Sequence, residues 1–268
     1  MRHTAIALAW LMTVAVFDHP LRAATAREVL DQAKALDDTT RHWTDRTQRM
    51  ILTIHDPSGA EKRRELTVYT KRYADDEEKT ISFFTAPAEE RGIGFLQWVH
   101  KGKDDEQWLY LPQYKRTRLI ASRLRDESFV GTDFTYRDLE IVGKLLRWTE
   151  AEAPTKLLGE ETVDGTACYA IELRPRQEGM PYQRIVVWMD KQRLTPRKVE
   201  FYDSDGARSK ILTLNDVVDI GAIPTPRKLE MQNVKKGSRT SVELPEVTYN
   251  GGLQDEMFTQ HYLDRGPQ

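Results

Sequence analysis

The sequence predicts a mainly β fold: one antiparallel meander in a single domain, with helical pieces near its two ends. Two observations carry this. Apolar residues alternate with polar ones over short runs, as in Met50, Leu52 and Ile54 against Arg49, Thr53 and His55, the period of a half-buried strand. Those runs are separated by tight turn chemistry such as Asp56-Pro57-Ser58-Gly59, Asp164-Gly165 and Asp203-Ser204-Asp205-Gly206, so consecutive strands form hairpins and not βαβ units.

At the start, Met1-Arg2-His3 precedes an apolar run from Thr4 to Phe17, with Leu21-Arg22-Ala23-Ala24 behind it. The run is shorter than the roughly 20 apolar residues a membrane span needs. Its order of charge, apolar core and small residues is that of a secretory signal cut near Ala23 or Ala24. Residues 1–23 are therefore expected to be the signal and 24–268 one domain; about 245 residues suit a single all-β unit. No cysteine lies near the cut, so the mature protein is expected to be released and not lipid-anchored. Cys168 is the only cysteine; it forms no intrachain disulfide and reads as a small apolar filler in a strand.

Thr25 with Glu28 three residues later is a capping-box pattern. Val29, Leu30, Ala33 and Leu36 then share one face, which predicts a helix to Asp38. Strands follow from Arg46. Leu66 and Val68 return from the first turn, Ile81–Phe84 ends at Ala86-Pro87, and Gly92–Val99 carries two glycines that mark a bend or a close approach. Trp108–Leu111 stops at Pro112, and the basic residues from Lys115 to Arg125 read as extended. Beyond Asp164-Gly165 come Ala167–Leu173, Ile185–Met189, Pro196–Tyr202 and Ile211–Leu214. Pro224-Thr225-Pro226 leads into Leu229–Gln232, Ser241–Tyr249 is the last strand, and Asp255–Leu263 is a short closing helix.

The formal charge of −2 argues against nucleic-acid binding. Catalytic groupings are missing: His42, His55, His100 and His261 lack metal-ligand spacing, and neither a G-x-S-x-G elbow nor a phosphate-binding G-x-x-x-x-G-K occurs. No cofactor or metal is expected, and Asp133 in Gly131-Thr132-Asp133 reads as turn chemistry and not as half of an acid–base pair.

One stretch carries more. A tryptophan-led strand ending in Leu111-Pro112, then basic residues, then Phe129-Val130-Gly131-Thr132-Asp133-Phe134-Thr135-Tyr136-Arg137-Asp138-Leu139 resembles the outer-membrane lipoprotein-sorting proteins of the LolA-like superfamily, in the branch found beside RND-type envelope exporters. The run from Ile185 to Gly206 resembles the same family. Arg137 departs from the acidic residue expected beside Asp138. The resemblance implies a periplasmic protein with a strongly curved, incomplete antiparallel barrel, an N-terminal helix and lid helices around an apolar hollow. It implies acyl chains of lipids or lipoproteins as ligand, with an inner-membrane exporter and an outer-membrane acceptor as partners. A monomer in transient contact with the membrane surface is expected.

An acyl chain of about 14 methylenes loses on the order of 11 kcal/mol on leaving a bilayer for water, so a carrier must enclose it. The candidate cavity residues are Leu52, Val68, Phe83, Phe95, Trp98, Leu109, Phe129, Phe134, Val187 and Met189; ordinary core packing is the competing reading for each. Trp98, Phe129 and Phe134 stand out as wide side chains near glycines. Arg116, Arg118, Arg123 and Arg125 are candidates for contact with anionic headgroups or an acidic partner surface, against a plain solvated strand face. A lipid sensor and an envelope hydrolase are the competing functions; the hydrolase requires a serine clustered with His55, His100 or His261.

Overall fold

The computed structural model describes residues 24–267; the expected signal segment, 1–23, lies outside them. The first half of the chain contributes α1 (Ala26–Asp38), β1 (Asp45–His55), β2 (Glu61–Arg72), β3 (Glu78–Ala86), β4 (Gly94–Val99), β5 (Glu106–Leu111), β6 (Arg116–Leu119) and α2 (Tyr136–Lys144). The second contributes β7 (Thr155–Val163), β8 (Thr166–Leu173), β9 (Tyr182–Asp190), β10 (Pro196–Asp203), β11 (Arg208–Ile220), β12 (Ile223–Asn233), β13 (Ser238–Tyr249) and α3 (Gln260–Arg265). All thirteen strands form one sheet in the order β6-β5-β4-β3-β2-β1-β13-β12-β11-β10-β9-β8-β7. The sheet is antiparallel throughout, and the pairing of β1 with β13, Leu52 opposite Val242, joins the two meanders at its centre. It curves without closing, so β6 and β7 remain edges and the molecule is an incomplete barrel.

The capping box at Thr25 forms as expected, with Glu28 as its partner. Helix α1 buries Val29, Leu30 and Ala33 on the inner face of the second half, against Ile171, Ile185, Val187, Met189 and Phe201. On the outer face of the first half, Ile81, Phe83, Leu96 and Trp108 pack under Phe258 and Leu263 from the closing helical segment. The connection from β6 to β7 crosses the inner face: Phe129 and Tyr136 join the cluster on β1–β5, while Ile141, Leu145 and Trp148 join that beneath α1.

Four elements depart from the sequence reading. Helix α2 and strand β7 arise where no element was expected. The extended basic segment ends at Leu119, followed by a single helical turn at Ser122–Leu124. Pro224 and Pro226 lie inside β12 and do not merely precede it. They are tolerated because β12 and β13 pair only between Lys228–Asn233 and Ser238–Glu243. Beyond that the strands part, leaving Pro224, Pro226 and Pro245, which lack an N–H, on edges that need no donor. The hydroxyls of Thr225 and Tyr249 bridge the gap at 3.0 Å.

Candidate functional site

Between the two packed regions the inner face lines a partly open cavity of about 450 Å³. Its walls follow strand parity: Met50 and Leu52 on β1, Leu66 and Val68 on β2, Phe95 on β4, Leu212 and Leu214 on β11, Leu229 on β12, Val242 and Leu244 on β13. Its roof is α2. Leu139, Val142, Gly143 and Leu146 face the hollow at helical spacing, Tyr136 packs on Phe95 and Phe129 at its edge, and Arg137, Asp138, Glu140 and Ile141 are buried away from it.

Polar anchors hold the roof. Thr135 caps α2 and the Asp138 carboxylate accepts from the Thr135 N–H at 2.7 Å. Asp138 is wholly buried; its other oxygen accepts from the Tyr182 hydroxyl at 2.7 Å, and Lys210 pairs with it at 2.5 Å. Burial, followed by this carboxylate, pushes the Tyr182 hydroxyl far above its usual range. Glu140 is held by Arg125 and Arg137, each at 3.2 Å. Lys144 pairs with buried Asp105 at 2.8 Å; burial raises the Asp105 carboxyl, while Lys144 lowers it. Removing one partner of such a buried pair strands a charge, at a cost of about 3–5 kcal/mol. Asp133 bonds the Ser238 and Thr240 hydroxyls on β13, tying down the segment before α2 through side chains far away in the chain and not through neighbouring N–H groups.

At one end of the cavity Phe129 packs on Phe95 with ring centroids 5.2 Å apart. The other end is polar. Here Trp43 carries two guanidinium groups, Arg72 at 3.8 Å and Arg46 at 4.8 Å from the ring centroid, and stacks against Tyr249 beside the parted strands. Asp37, Arg41 and Glu78 complete this end. Burial raises the Asp37 carboxyl despite the opposing charges of Arg72 and Arg41.

Of the candidate residues, Leu52, Val68, Phe95, Phe129 and Phe134 line the cavity. Leu109 is buried in the cluster behind it. Val187 and Met189 point to the inner face but beneath α1, in solid core. Phe83 and Trp98 face outward: Phe95 and Gln97 point in, so alternation turns Trp98 away, and its indole N–H donates to the Phe258 carbonyl at 3.0 Å. Phe83 packs edge-on against Tyr262. Gly94 serves a close approach, since a Cβ there would stand 2.7 Å from Leu263. Among the basic candidates Arg116, Arg118 and Arg123 are exposed. Arg125 is not a surface charge; it is 4% exposed and spans Glu140 and the Asp105 carbonyl. The roof stripe, Trp43, Arg46 and Arg72 were missed. The Thr135–Asp138 cap followed by apolar positions at 139, 142 and 146 was a readable signal for the first; the arginine end depends on pairing across the sheet.

His55 and His100 lie 2.9 Å and 3.0 Å from Glu61 and Glu106, and neither hydrogen-bonds a serine among the described residues. Cys168 is fully buried, with its thiol pushed up by that burial. Among the described residues no group of His, Cys, Asp or Glu is arranged to hold a metal ion.

Comparison with known proteins agrees with this architecture. A family model described as an "uncharacterized protein"-like family matches residues 76–265. A domain from Vibrio parahaemolyticus, described as a candidate outer-membrane lipoprotein-sorting protein, is 28% identical with a TM-score of 0.81 over 89% of this chain and 98% of its own. A DUF1329 family protein from Desulfovibrio piger is 25% identical, with a TM-score of 0.81 over 89% of this chain and 97% of its own. A LolA superfamily protein from Nitrosomonas europaea shares the fold at 21% identity and a TM-score of 0.65, over 90% of this chain and 100% of its own. No curated protein matches the chain. The chain belongs to the family whose model it matches, and its half-barrel is that of the LolA-like, outer-membrane lipoprotein-sorting superfamily.

Proposed function

We propose that the protein is a periplasmic carrier that takes the acyl chain of a lipid or lipid-modified protein into the cavity beneath α2 and moves it between inner and outer membranes. An RND-type inner-membrane exporter and an outer-membrane acceptor are its proposed partners. The reading is one of binding and not of catalysis. The observation that carries it is the apolar hollow of about 450 Å³, within the range of about 300–1,000 Å³ typical of ligand pockets. Enclosure there offsets the cost of exposing hydrocarbon to water. The exposed Arg116, Arg118 and Arg123, at and beyond the β6 edge, are assigned to contact with anionic membrane, each worth about 1 kcal/mol near such a surface.

The test is purification from the cell envelope without detergent, solvent extraction and mass spectrometry, followed by uptake of labelled lipid from anionic vesicles. A species bearing an acyl chain, and uptake slowed by neutralising the three arginines together, are expected. Protein that carries no lipid and takes none up would remove the carrier reading.

A further inference from the structure

At the polar end of the cavity two buried guanidinium groups lack hydrogen-bond acceptors for their Nε atoms. Arg46 has no hydrogen bond or ion pair among the described residues; its guanidinium lies only on the Trp43 ring. Arg72 shares that ring, and its Nε stands 3.5 Å from a Glu78 carboxylate that already pairs with Arg147 at 2.9 Å. The Nε atoms of both Arg46 and Arg72 are buried without an acceptor. Arg41 donates to the Arg193 carbonyl and stands 4.0 Å from Asp37. The cavity wall at this end thus carries three arginines, Arg41, Arg46 and Arg72, beside two carboxylates, Asp37 and Glu78, and Glu78 is shared with Arg147. Burial lowers Arg72 against the opposing charge of Glu78, and the like charges of Arg147 and Arg46 add to the lowering.

Guanidinium groups left without acceptors in a part-buried site are costly, and their fork matches a phosphate or carboxylate. Position narrows what such an anion belongs to. A second hollow of about 340 Å³ adjoins the apolar one, and the two share Trp43, Arg46, Arg72, Asp37 and Glu78 as walls; of the other acidic walls of the second hollow, Asp38 and Asp76 are paired with Lys34. A ligand with its hydrocarbon in the inner hollow therefore brings its head to these arginines.

We propose that the carried lipid is an anionic amphiphile whose phosphate or carboxylate head seats on Arg46 and Arg72 against Trp43, a refinement that rests on the carrier reading. Calorimetric titration with lysophosphatidic acid, the monoacylglycerol of the same chain and inorganic phosphate separates the alternatives. The lysophospholipid is expected to bind at least about tenfold tighter than the monoacylglycerol, as charge-assisted hydrogen bonds imply. Arg46→Gln is expected to lower lysophospholipid affinity by a larger factor than monoacylglycerol affinity and so narrow the preference; Arg46→Gln/Arg72→Gln removes it. If the double variant does not fold, the wild-type comparison and Arg46→Gln decide. Equal affinity for the two lipids overturns the headgroup assignment and leaves the carrier reading standing. Binding of neither lipid overturns both, and inorganic phosphate binding as tightly as the lysophospholipid makes this a free-anion site.

Discussion

The two halves of the inner face are built from the same alternating strands, yet one is filled and the other is hollow. Over β8–β11, Val29, Leu30 and Ala33 of α1 share one buried cluster with Ile185, Val187 and Phe201. Over β1, β2 and β13, α2 is gripped on its far side by Lys210, Tyr182 and Arg125 through Asp138 and Glu140. Its apolar stripe faces space. A helix held by its own apolar face must pack; one held by charges on its opposite face can roof a void.

The comparison breaks if the two halves respond alike to truncation. Phe201→Ala, in the filled half, is expected to cost about 3–5 kcal/mol. Leu139→Ala, on the roof, is expected to cost less than about 1.5 kcal/mol, because partly exposed side chains lose few contacts. Urea unfolding of both variants measures the difference, and equal losses would show the roof to be as tightly packed as the core.

Two glycines sharpen it with a smaller effect. A Cβ at Gly94 would meet Leu263 and Phe83 on the closed outer face, so Gly94→Ala is expected to destabilise by about 1–3 kcal/mol. A Cβ at Gly143 meets nothing within 4 Å, and the residue is helical. Gly143→Ala is therefore expected to stabilise by about 0.5–1 kcal/mol. Thermal unfolding gives both signs, and a destabilised Gly143→Ala would mean that the space under α2 is filled.

Much of this architecture was legible because it is local. Alternation located the strands, the Thr25–Glu28 box started α1, and turn residues fixed the meander. Parity information was also present but not applied strand by strand: Phe95 and Trp98 are an odd number of residues apart and so face opposite ways, which places Trp98 outside. Other features were not local. Val187 has the right parity, and only the docking of α1 decides that it is core. Arg125 looks like its exposed neighbours until α2 brings Glu140 to it. Arg46 and Arg72 come together across the β1–β2 pair and around Trp43, a contact that no spacing along the chain announces.

The central claim is that the space under α2 is where hydrocarbon sits, and Gly143→Trp tests it most directly, because the indole enters that space from a position with no neighbour to displace. Titrating the wild type and this variant with a fluorescent fatty acid, with thermal unfolding as a control for folding, is expected to give an intact protein whose affinity has fallen at least about tenfold. An intact variant that binds the probe as tightly as the wild type would contradict the claim and place the lipid elsewhere.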